Sequence, residues 1–391
     1  MGKLEAILLF VISLGAFIIP FVSKRVNLPS SVGEMIYGLI LGIFFKNTVE
    51  HVPIVRFLGE LGFIILMYLA GLEINFERLK STSKRTIFLY TVVIFSIILI
   101  SFAYVFYSNQ KLIYALVYLA TAIGLLYSIL RDTGIIKTPI AQSILILGSI
   151  GEIASLITIT FVFLYFKFGF TLEAFLHFLG IAVFFFIAYI SLKFFKLYIW
   201  WHPHLLKHFI KSEDASETGV RANLANMFIF VALASLFGLE PIIGAFFGGI
   251  LFALVFKERE EVLEKLSAFG YGFLIPIFFI EVGLRFDIFE LFQLNIIKNA
   301  LLFSLAILGI RILSNSFLFL SGFSWKEVLL SSLSLSMPLT LLVAIATLGL
   351  EADILSEVEA SAIVLAAIIT GLVYPWFFKY LVRYLKTENK G

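Results

Sequence analysis

Three ionisable residues, Glu152, Arg311 and Glu281, stand inside long apolar stretches of the 391-residue sequence. If these stretches are membrane helices, a charge inside them costs several kcal/mol and marks a transport pathway or an ion pair. Glu152 follows Pro139 by about thirteen residues, a helical distance of about 20 Å, which is near the middle of a bilayer. One carboxylate at that depth can bind a proton or a small cation, but it cannot hold both well. Competition for such a site produces exchange of the two ions if the site faces each side of the membrane in turn.

Arg311 cannot easily lose its charge, so an arginine in the middle of a membrane helix needs an anion within reach. Two carboxylates are available for this role, Glu281 and Glu152. Glu281 lies nearer the outer end of its stretch, where it could equally be a residue at the membrane interface. For Glu152 the alternative is a structural carboxylate that accepts hydrogen bonds from a neighbouring helix. The sequence alone leaves the partner of Arg311 open between the two acids.

Two of the apolar stretches carry interruptions at mid-depth. One contains Thr121 and Gly124, and the other contains Ser336, Pro338 and Thr340. Residues of these types loosen the hydrogen bonding of the helix backbone, which a membrane tolerates only beside a cavity. The two stretches are seven segments apart and therefore run in opposite directions, as inverted repeats require. Such matched interruptions point to the binding site of a transporter, although two ordinary membrane helices with Pro and Gly would give the same pattern.

The composition excludes most other classes of protein. Hydrophobic residues make up 61% of the chain and charged residues 14%, and the mean hydropathy is +1.05. Soluble proteins average about 45–50% apolar residues and about 25% charged residues. A soluble enzyme, a nucleic-acid-binding protein and a disordered chain are therefore excluded. The sequence has no Cys and only five scattered His, which leaves no disulfide, thiolate nucleophile or His/Cys metal site. We expect no cofactor, and the only metal ion we expect is a transported cation at Glu152.

Thirteen apolar segments are long enough, or nearly so, to cross about 30 Å of hydrocarbon. The first precedes Lys24 and Arg25 and is interpreted as a membrane helix, because no cleavage site of the signal-peptide kind follows it. The alternation typical of β-barrel strands is absent from the sequence. The sequence therefore predicts an all-α integral membrane protein with about thirteen transmembrane helices, at residues 4–22, 31–46, 57–75, 86–107, 112–130, 139–166, 171–193, 222–237, 240–256, 266–284, 299–321, 327–349 and 358–385.

The distribution of positive charge predicts the orientation of these segments. With the N-terminus outside, 21 Lys and Arg residues fall on the inner side and 7 on the outer side, and Arg311 within a segment completes the 29. A missed or an extra helix would scramble this alternation. We therefore expect one membrane domain over residues 1–391 in the plasma membrane, with the N-terminus outside and the C-terminus cytoplasmic. We expect no soluble nucleotide-binding domain after the last segment.

One long polar interval, residues 196–221, separates two groups of apolar segments. It contains a pair of tryptophans and three histidines, His202, His204 and His208. The favoured interpretation is an interfacial linker between two halves of the protein. The alternative is a pH sensor built from the three histidines, whose charge changes near neutral pH.

Several motifs follow one another along almost the whole chain, namely Ser31–Gly42, Ala70–Ile74, Thr121–Gly134 continuing to Gly148–Glu152, Ile243–Ile250 and Pro276–Leu284. Together they resemble the monovalent cation/proton antiporters of the NapA and Kef type. The resemblance implies the NapA/NhaA-like antiporter fold, with inverted repeats in which the fifth and twelfth segments cross as broken helices. It also implies an ion-translocating core, at about residues 57–166 and 266–385, and a dimerisation domain from the remaining segments. An elevator-like movement of the core and a homodimer in the lipid bilayer are further implications.

The resemblance also implies roles for individual residues. The family's ion-binding acid falls on Glu152, and the first residue of the family's usual acid pair falls on Gly151, which is a departure from the pattern. The family's basic residue falls on Arg311, and its broken-helix threonine falls on Thr121. With one acid, we expect electroneutral exchange of Na+, or else Li+ or K+, for H+ by alternating access, in the service of pH homeostasis. Glu281 is an alternative source of the missing polar group.

Two other functions stay open at this point. A related inverted-repeat fold could carry an organic anion together with sodium, and Arg311 would then be the anion site. A non-transporting membrane sensor, or a channel-like leak, would keep the fold and lose the coupling between the two ions. An enzyme is not expected, because the sequence offers no nucleophile–base pair, metal-ligand spacing or phosphate-binding loop. Replacement of Glu152 by Gln distinguishes the two transport hypotheses, since it should abolish cation/proton exchange and leave organic-anion transport largely intact.

Overall fold

A computed structural model describes residues 3–26, 28–49, 52–74, 76, 82–169, 171–201, 217–237, 240–255 and 260–388. All regular secondary structure in these residues is helical. The α-helices are, in chain order, α1 (Lys3–Arg25), α2 (Ser30–Val49), α3 (Pro53–Glu73), α4 (Lys84–Tyr107), α5 (Ile113–Leu119), α6 (Gly124–Asp132), α7 (Pro139–Phe168), α8 (Leu172–Trp201), α9 (Thr218–Leu236), α10 (Pro241–Val255), α11 (Glu260–Phe269), α12 (Ile275–Arg285), α13 (Ile288–Leu291), α14 (Leu294–Asn315), α15 (Trp325–Leu335), α16 (Leu339–Glu351) and α17 (Glu357–Glu388).

Each predicted apolar segment coincides with a helix or with a pair of helices. The fifth segment is divided into α5 and α6, and the twelfth into α15 and α16. A π-helical turn over Gly270–Leu274 joins α11 to α12 within the tenth segment. Among the described residues, nine helical stretches are long and apolar enough to cross a membrane, and three shorter apolar helices cover the second, fifth and ninth segments. The predicted all-α membrane fold is therefore confirmed.

Capping residues explain where some of these helices begin. Ser83 precedes α4, and its hydroxyl accepts a hydrogen bond of 3.1 Å from the backbone N–H of Thr86. Ser324 and Glu327 form a capping box at the start of α15, where each side chain bonds to the backbone of the other residue. These bonds satisfy amides that the first turn of a helix leaves without an intrahelical acceptor.

The chain divides into two compact units, each assembled from stretches that are distant in sequence. The first unit comprises Met1–Ile18, Asn47–Phe76 and Phe163–Glu281, and the second comprises Ile19–Lys46, Glu77–Val162 and Val282–Gly391. Both broken helices, as well as Glu152 and Arg311, belong to the second unit. Glu281 is the last residue of the first unit.

Glycines bring two helix backbones of the first unit into close contact. A Cβ atom on Gly71 of α3 would lie 2.2 Å from the carbonyl oxygen of Phe246 in α10, and one on Gly249 of α10 would lie 2.2 Å from that of Tyr68. Any larger residue at either position would force the helices apart, so this approach depends on glycine. The side chain of Tyr68 also contacts α9. Its hydroxyl donates to Asn223 Oδ1 at 3.0 Å and accepts from Asn226 Nδ2 at 3.0 Å.

The second unit has an apolar core between α6, α7, α15 and α17. Leu126, Ile144, Leu333 and Phe378 are buried members of this cluster, one from each helix. A Cβ atom on Gly371 of α17 would lie 3.8 Å from Leu125 and 3.5 Å from Leu339, the residues at the starts of α6 and α16. The second halves of both broken helices therefore begin against the same turn of α17.

This division differs from the predicted one at three segments. The third segment and the part of the tenth up to Glu281 belong to the first unit, although they are predicted in the core, and the second segment belongs to the second unit. Backbone packing accounts for the positions of the third and second segments. Helix α3 is held to α10 by the glycine contact above. A Cβ atom on Gly283 would lie 2.2 Å from the carbonyl oxygen of Met35 in α2. The functions of the two units stay a proposal.

Helices occupy both ends of the interval 196–221, which is predicted to be a linker. Helix α8 continues to Trp201, and α9 begins at Thr218. Between them, His202, His204 and His208 lie outside the described residues. The alternative pH-sensor interpretation of these histidines accordingly stays a prediction from sequence.

Candidate ion-binding site

The structure places the predicted helix-breaking residues at or next to the two interruptions. Thr121 lies in the non-helical stretch between α5 and α6, and Gly124 is the first residue of α6. Ser336 and Pro338 lie in the stretch between α15 and α16, and Thr340 is the second residue of α16. In transporters, interruptions of this kind take backbone groups out of the helical hydrogen-bonding pattern and often line an ion-binding site.

One face of α7 carries the candidate carboxylate and faces both interruptions. Gly148, Glu152 and Ser155 are four and three residues apart, so they lie on the same side of the helix. A Cβ atom on Gly148 would lie 3.2 Å from Leu126 of α6 and 3.8 Å from Leu335, the last residue of α15. Glu152 is 1% exposed. A single inaccessible carboxylate is thus held on the helix that separates the two breaks.

Gly151 is packed directly against the first interruption. A Cβ atom on Gly151 would lie 2.8 Å from the methyl carbon Cγ2 of Thr121 and 3.1 Å from Cδ1 of Ile94. The rotamer of Thr121 is held in turn, because its hydroxyl donates to the carbonyl oxygen of Leu119 at 3.2 Å. A side chain at position 151 would need Thr121 to move, which gives a physical reason for the missing first residue of the acid pair.

Ser155 is a site residue that the sequence analysis missed. Its hydroxyl accepts a hydrogen bond from the backbone N–H of Thr121 at 3.1 Å and donates to the carbonyl oxygen of Leu119 at 3.2 Å. The side chain is 2% exposed, so both bonds lie away from solvent. The spacing of three residues from Glu152 is the signal that could have identified it, since a polar residue there shares the face of the carboxylate.

Arg311 binds the end of a half-helix instead of a carboxylate. The side chain is 0% exposed, and its two terminal nitrogens donate to the carbonyl oxygens of Tyr118 and Ala120. Nη2 also lies 3.4 Å from the hydroxyl of Thr121. These carbonyls end α5, where the helix dipole places about half a negative charge. In the described part of the chain, the acceptors of the terminal nitrogens of Arg311 are therefore carbonyl dipoles, with the hydroxyl of Thr121 beside them.

Glu281 lies in the first unit, near the end of α12. It is 3% exposed, and its carboxylate lies against α3, where a Cβ atom on Gly59 would be 3.2 Å from Oε2. The absence of a side chain at Gly59 makes the space that Glu281 occupies. The structure thus places the carboxylate of Glu281 against α3 within the first unit, and the predicted roles of this residue stay predictions.

The second unit gathers the oxygen ligands that a small hard cation prefers. Glu152 and Ser155 of α7 and Thr121 of the first interruption supply a carboxylate and two hydroxyls, all of them buried. Alkali and alkaline-earth cations are bound by oxygen atoms of these kinds. The same carboxylate can take a proton, so the arrangement suits alternate binding of H+ and a cation.

Comparisons with known proteins give the family of this chain. A family profile described as "Sodium/hydrogen exchanger, transmembrane" matches residues 12–384. YjbQ of Bacillus subtilis is 30% identical, over 96% of this chain and 63% of its own length, so this chain spans less than two thirds of that relative. The Na+/H+ antiporter of Enterococcus hirae is 25% identical, over 93% of this chain and 94% of its own.

A solved structure shares the fold. The sodium proton antiporter MjNhaP1 from Methanocaldococcus jannaschii, determined at pH 8, superposes with a TM-score of 0.67 over 97% of this chain and 98% of that chain, at 14% identity. At this identity the likeness concerns the fold alone. The profile match, by contrast, extends over nearly the whole sequence. The protein is therefore a multi-pass membrane protein and belongs to the sodium/hydrogen exchanger family.

Proposed function

We propose that this protein is a secondary antiporter that exchanges a monovalent cation for H+ across the plasma membrane, with Glu152 as its ion-binding carboxylate. Na+ is the proposed cation, because the relative from Enterococcus hirae is named a Na+/H+ antiporter. Li+ and K+ are the alternatives. The observation that carries the proposal is the position of one carboxylate, 1% exposed, on the face of α7 beside both helix interruptions.

Exchange follows from competition for this carboxylate. When Glu152 is ionised it attracts a cation, and the hydroxyls of Thr121 and Ser155 add oxygen ligands. When Glu152 is protonated the cation loses its only full negative charge and leaves. Alternating access to the two sides then couples the flow of one ion to the opposite flow of the other, because the empty charged carboxylate is costly inside the membrane.

Electroneutral exchange is the proposed stoichiometry. Gly151 has no side chain, and the methyl group of Thr121 lies 2.8 Å from where its Cβ atom would be. A second acid at this position is therefore missing, and one carboxylate carries either one proton or one monovalent cation. Each turnover then moves equal charge in both directions.

Proton flux in proteoliposomes tests the ion site. A dye inside the vesicles reports pH while gradients of Na+, Li+ or K+ are imposed on the wild type, on Glu152→Gln and on Glu60→Gln. Glu60 is the matched control, since this exposed acid pairs with Arg56 at 2.9 Å. We expect cation-driven pH changes in the wild type and the control and their loss in Glu152→Gln. Wild-type flux that survives in Glu152→Gln would refute the role of this residue.

The pH dependence of the apparent KM tests competition at one carboxylate. If one proton and one cation compete, the KM for Na+ should rise about tenfold for each unit by which the pH falls in the acidic range, with little change in the maximal rate, by mass action. A KM that does not change with pH would contradict competition. The same vesicles with valinomycin and K+ report whether the membrane potential affects the rate.

We further propose a homodimer formed through the first unit, and an elevator-like movement in which the second unit carries the bound ion. The proposal rests on the family and on the location of Glu152 within the second unit. Native mass spectrometry of the solubilised protein tests the dimer. Twice the chain mass of 44.0 kDa is expected, and a species of one chain mass under mild conditions contradicts it.

The alternative functions have less support. An organic-anion transporter would need Arg311 to bind the anion, but both terminal nitrogens of its guanidinium donate to carbonyl oxygens of the broken helix. A sensor without transport would show no cation-driven proton flux in the wild type. The vesicle experiment above therefore decides between exchange and both alternatives.

A further inference from the structure

The face of α14 that carries Arg311 presents two more polar side chains, one turn further along the helix. Ser314 and Asn315 are both 0% exposed, as is Arg311. Within the described residues, Arg311 Nε, Ser314 Oγ and Asn315 Oδ1 are buried and have no hydrogen-bond partner. Buried polar atoms in folded proteins are nearly always hydrogen-bonded, so three exceptions on one helix need an explanation.

The three atoms belong to one place in the core. Residues 311, 314 and 315 have the spacing of neighbours on one helix face, and helical side chains lean toward the N-terminus, so Ser314 and Asn315 lie over the turn that holds Arg311. Ser332 of α15 connects both ends of this group. Its hydroxyl accepts from Asn315 Nδ2 at 3.0 Å and lies 3.4 Å from the carbonyl oxygen of Arg311.

The chemistry of these atoms selects the ligand. Arg311 Nε is a charged donor, Asn315 Oδ1 is an acceptor, and the hydroxyl of Ser314 can act as either. A metal cation would be repelled by the guanidinium, and an anion would be repelled by the lone pairs of Oδ1. Water has the hydrogen-bonding chemistry that suits all three atoms, because it can accept from Nε–H and from Ser314 while it donates to Oδ1. Three hydrogen bonds are typical of a buried water.

We propose that a water molecule is bound between α14 and α15 by Arg311 Nε, Ser314 Oγ and Asn315 Oδ1. It completes the hydrogen bonding of the guanidinium group, whose terminal nitrogens hold the end of α5. Ser314 and Asn315 are then positioning residues that fix Arg311 without an acid. This site is distinct from the oxygen ligands around Glu152, and it does not depend on which ion is transported.

Replacement of Ser314 by Ala tests the site through the sign of a stability change. If Ser314 Oγ is simply buried without a partner, its removal abolishes a desolvation cost, and the Tm rises. If it binds water, the substitution removes a hydrogen bond and weakens those of Arg311 and Asn315, so the Tm falls by about 1–2 °C. Ala is smaller than Ser, so this variant should fold. An unchanged or raised Tm overturns the proposal.

Ser331→Ala is the matched control. Ser331 is also 0% exposed, but its hydroxyl donates to carbonyl oxygens of its own helix, at Glu327 and Val328, at 2.8 and 3.0 Å. Its substitution measures the effect of losing a buried serine hydroxyl that bonds only within its helix. The Tm of Ser314→Ala must fall below that of Ser331→Ala for the water site to stand.

A high-resolution map gives a second, direct measurement. In the wild type we expect solvent density within about 2.6–3.2 Å of Asn315 Oδ1 and Arg311 Nε. In Ser314→Ala the same density should weaken. A well-resolved map with both side chains ordered and no density between them would refute the site, whatever the Tm values are.

Discussion

The contact between Gly151 and Thr121 predicts a specific defect and a specific rescue. In Gly151→Ala the new Cβ atom would lie 2.8 Å from Thr121 Cγ2, whereas carbon atoms in contact are normally about 3.5–4.0 Å apart. Overpacking of this kind costs about 1–3 kcal/mol. A helix gains about 0.5–1 kcal/mol when Gly becomes Ala, so the net change is expected to be a loss of about 0–2.5 kcal/mol.

Gly309→Ala measures separately the stabilisation that a helix gains when Gly becomes Ala. Gly309 lies within α14, and a Cβ atom on it would meet no other atom within 4 Å. The control should therefore stabilise the protein by about 0.5–1 kcal/mol. The free energy of unfolding of Gly151→Ala should fall below that of Gly309→Ala by about 1–3 kcal/mol, which is the overpacking term alone.

Thr121→Ser supplies the rescue, because it removes Cγ2 and keeps the hydroxyl that bonds to Leu119. Thermal unfolding of the wild type, the two single variants and the double variant in one detergent gives a double-mutant cycle. We expect a favourable coupling of about 0.5–2 kcal/mol. Rescue is partial, since Ile94 Cδ1 and the Cβ atom of residue 121 itself both still lie 3.1 Å from the new Cβ atom. Effects that add within about 0.5 kcal/mol would refute the steric explanation of Gly151.

Three further substitutions test the remaining contacts. Ser155→Ala should lower the free energy of unfolding by about 1–3 kcal/mol, because it leaves the buried N–H of Thr121 without its acceptor, whereas the carbonyl oxygen of Leu119 keeps its hydrogen bond from the hydroxyl of Thr121. The exchange rate should fall with it, and unchanged stability in thermal unfolding would contradict this. Arg311→Lys keeps the charge but loses the paired hydrogen bonds to the end of α5, so its Tm should lie between those of the wild type and Arg311→Met. Equal Tm values for the two variants would show that the charge at this position does not stabilise the protein. Tyr68→Phe, in the first unit, should cost about 1–3 kcal/mol through loss of its hydroxyl bonds, with little change in KM for the cation; a large change in KM would place Tyr68 closer to transport than the structure does.

The fold could be predicted from sequence because membrane helices leave a strong local signal. Runs of apolar residues predict the number of segments, and all thirteen predicted segments coincide with helices or pairs of helices. The direction of the segments stays a prediction from the alternation of positive charge. The grouping of helices into units carries no such signal. It depends on contacts such as that of Gly71 with Gly249, which join positions far apart in sequence. From the sequence alone, neither glycine can be distinguished from a glycine that faces lipid.

The charged residues of the candidate site can be picked out from the sequence, whereas its hydrogen bonds cannot. Glu152 and Arg311 stand out because charges are rare in apolar segments. The partner of Arg311 could not be deduced in the same way, since backbone carbonyls such as those of Tyr118 and Ala120 exist at every position. Only the broken helix makes them available. Ser155 could not be identified for a related reason. A serine hydroxyl in a membrane helix can simply bond to a backbone carbonyl of its own helix, so a serine in the sequence does not by itself indicate a contact with another element.

The way Arg311 is held bears on the stoichiometry of exchange. A buried lysine can give up its proton during a cycle, whereas an arginine keeps its charge. Arg311 therefore contributes the same positive charge on both halves of the cycle, offset by the same carbonyl dipoles of α5. In the proposed exchange, Glu152 is then the group whose occupancy changes, and it binds one positive charge as Na+ or as H+. We expect the exchange rate of the wild type to be insensitive to an imposed membrane potential. Acceleration by that potential would mean that a second titratable group takes part, and reasoning from a single carboxylate would be wrong.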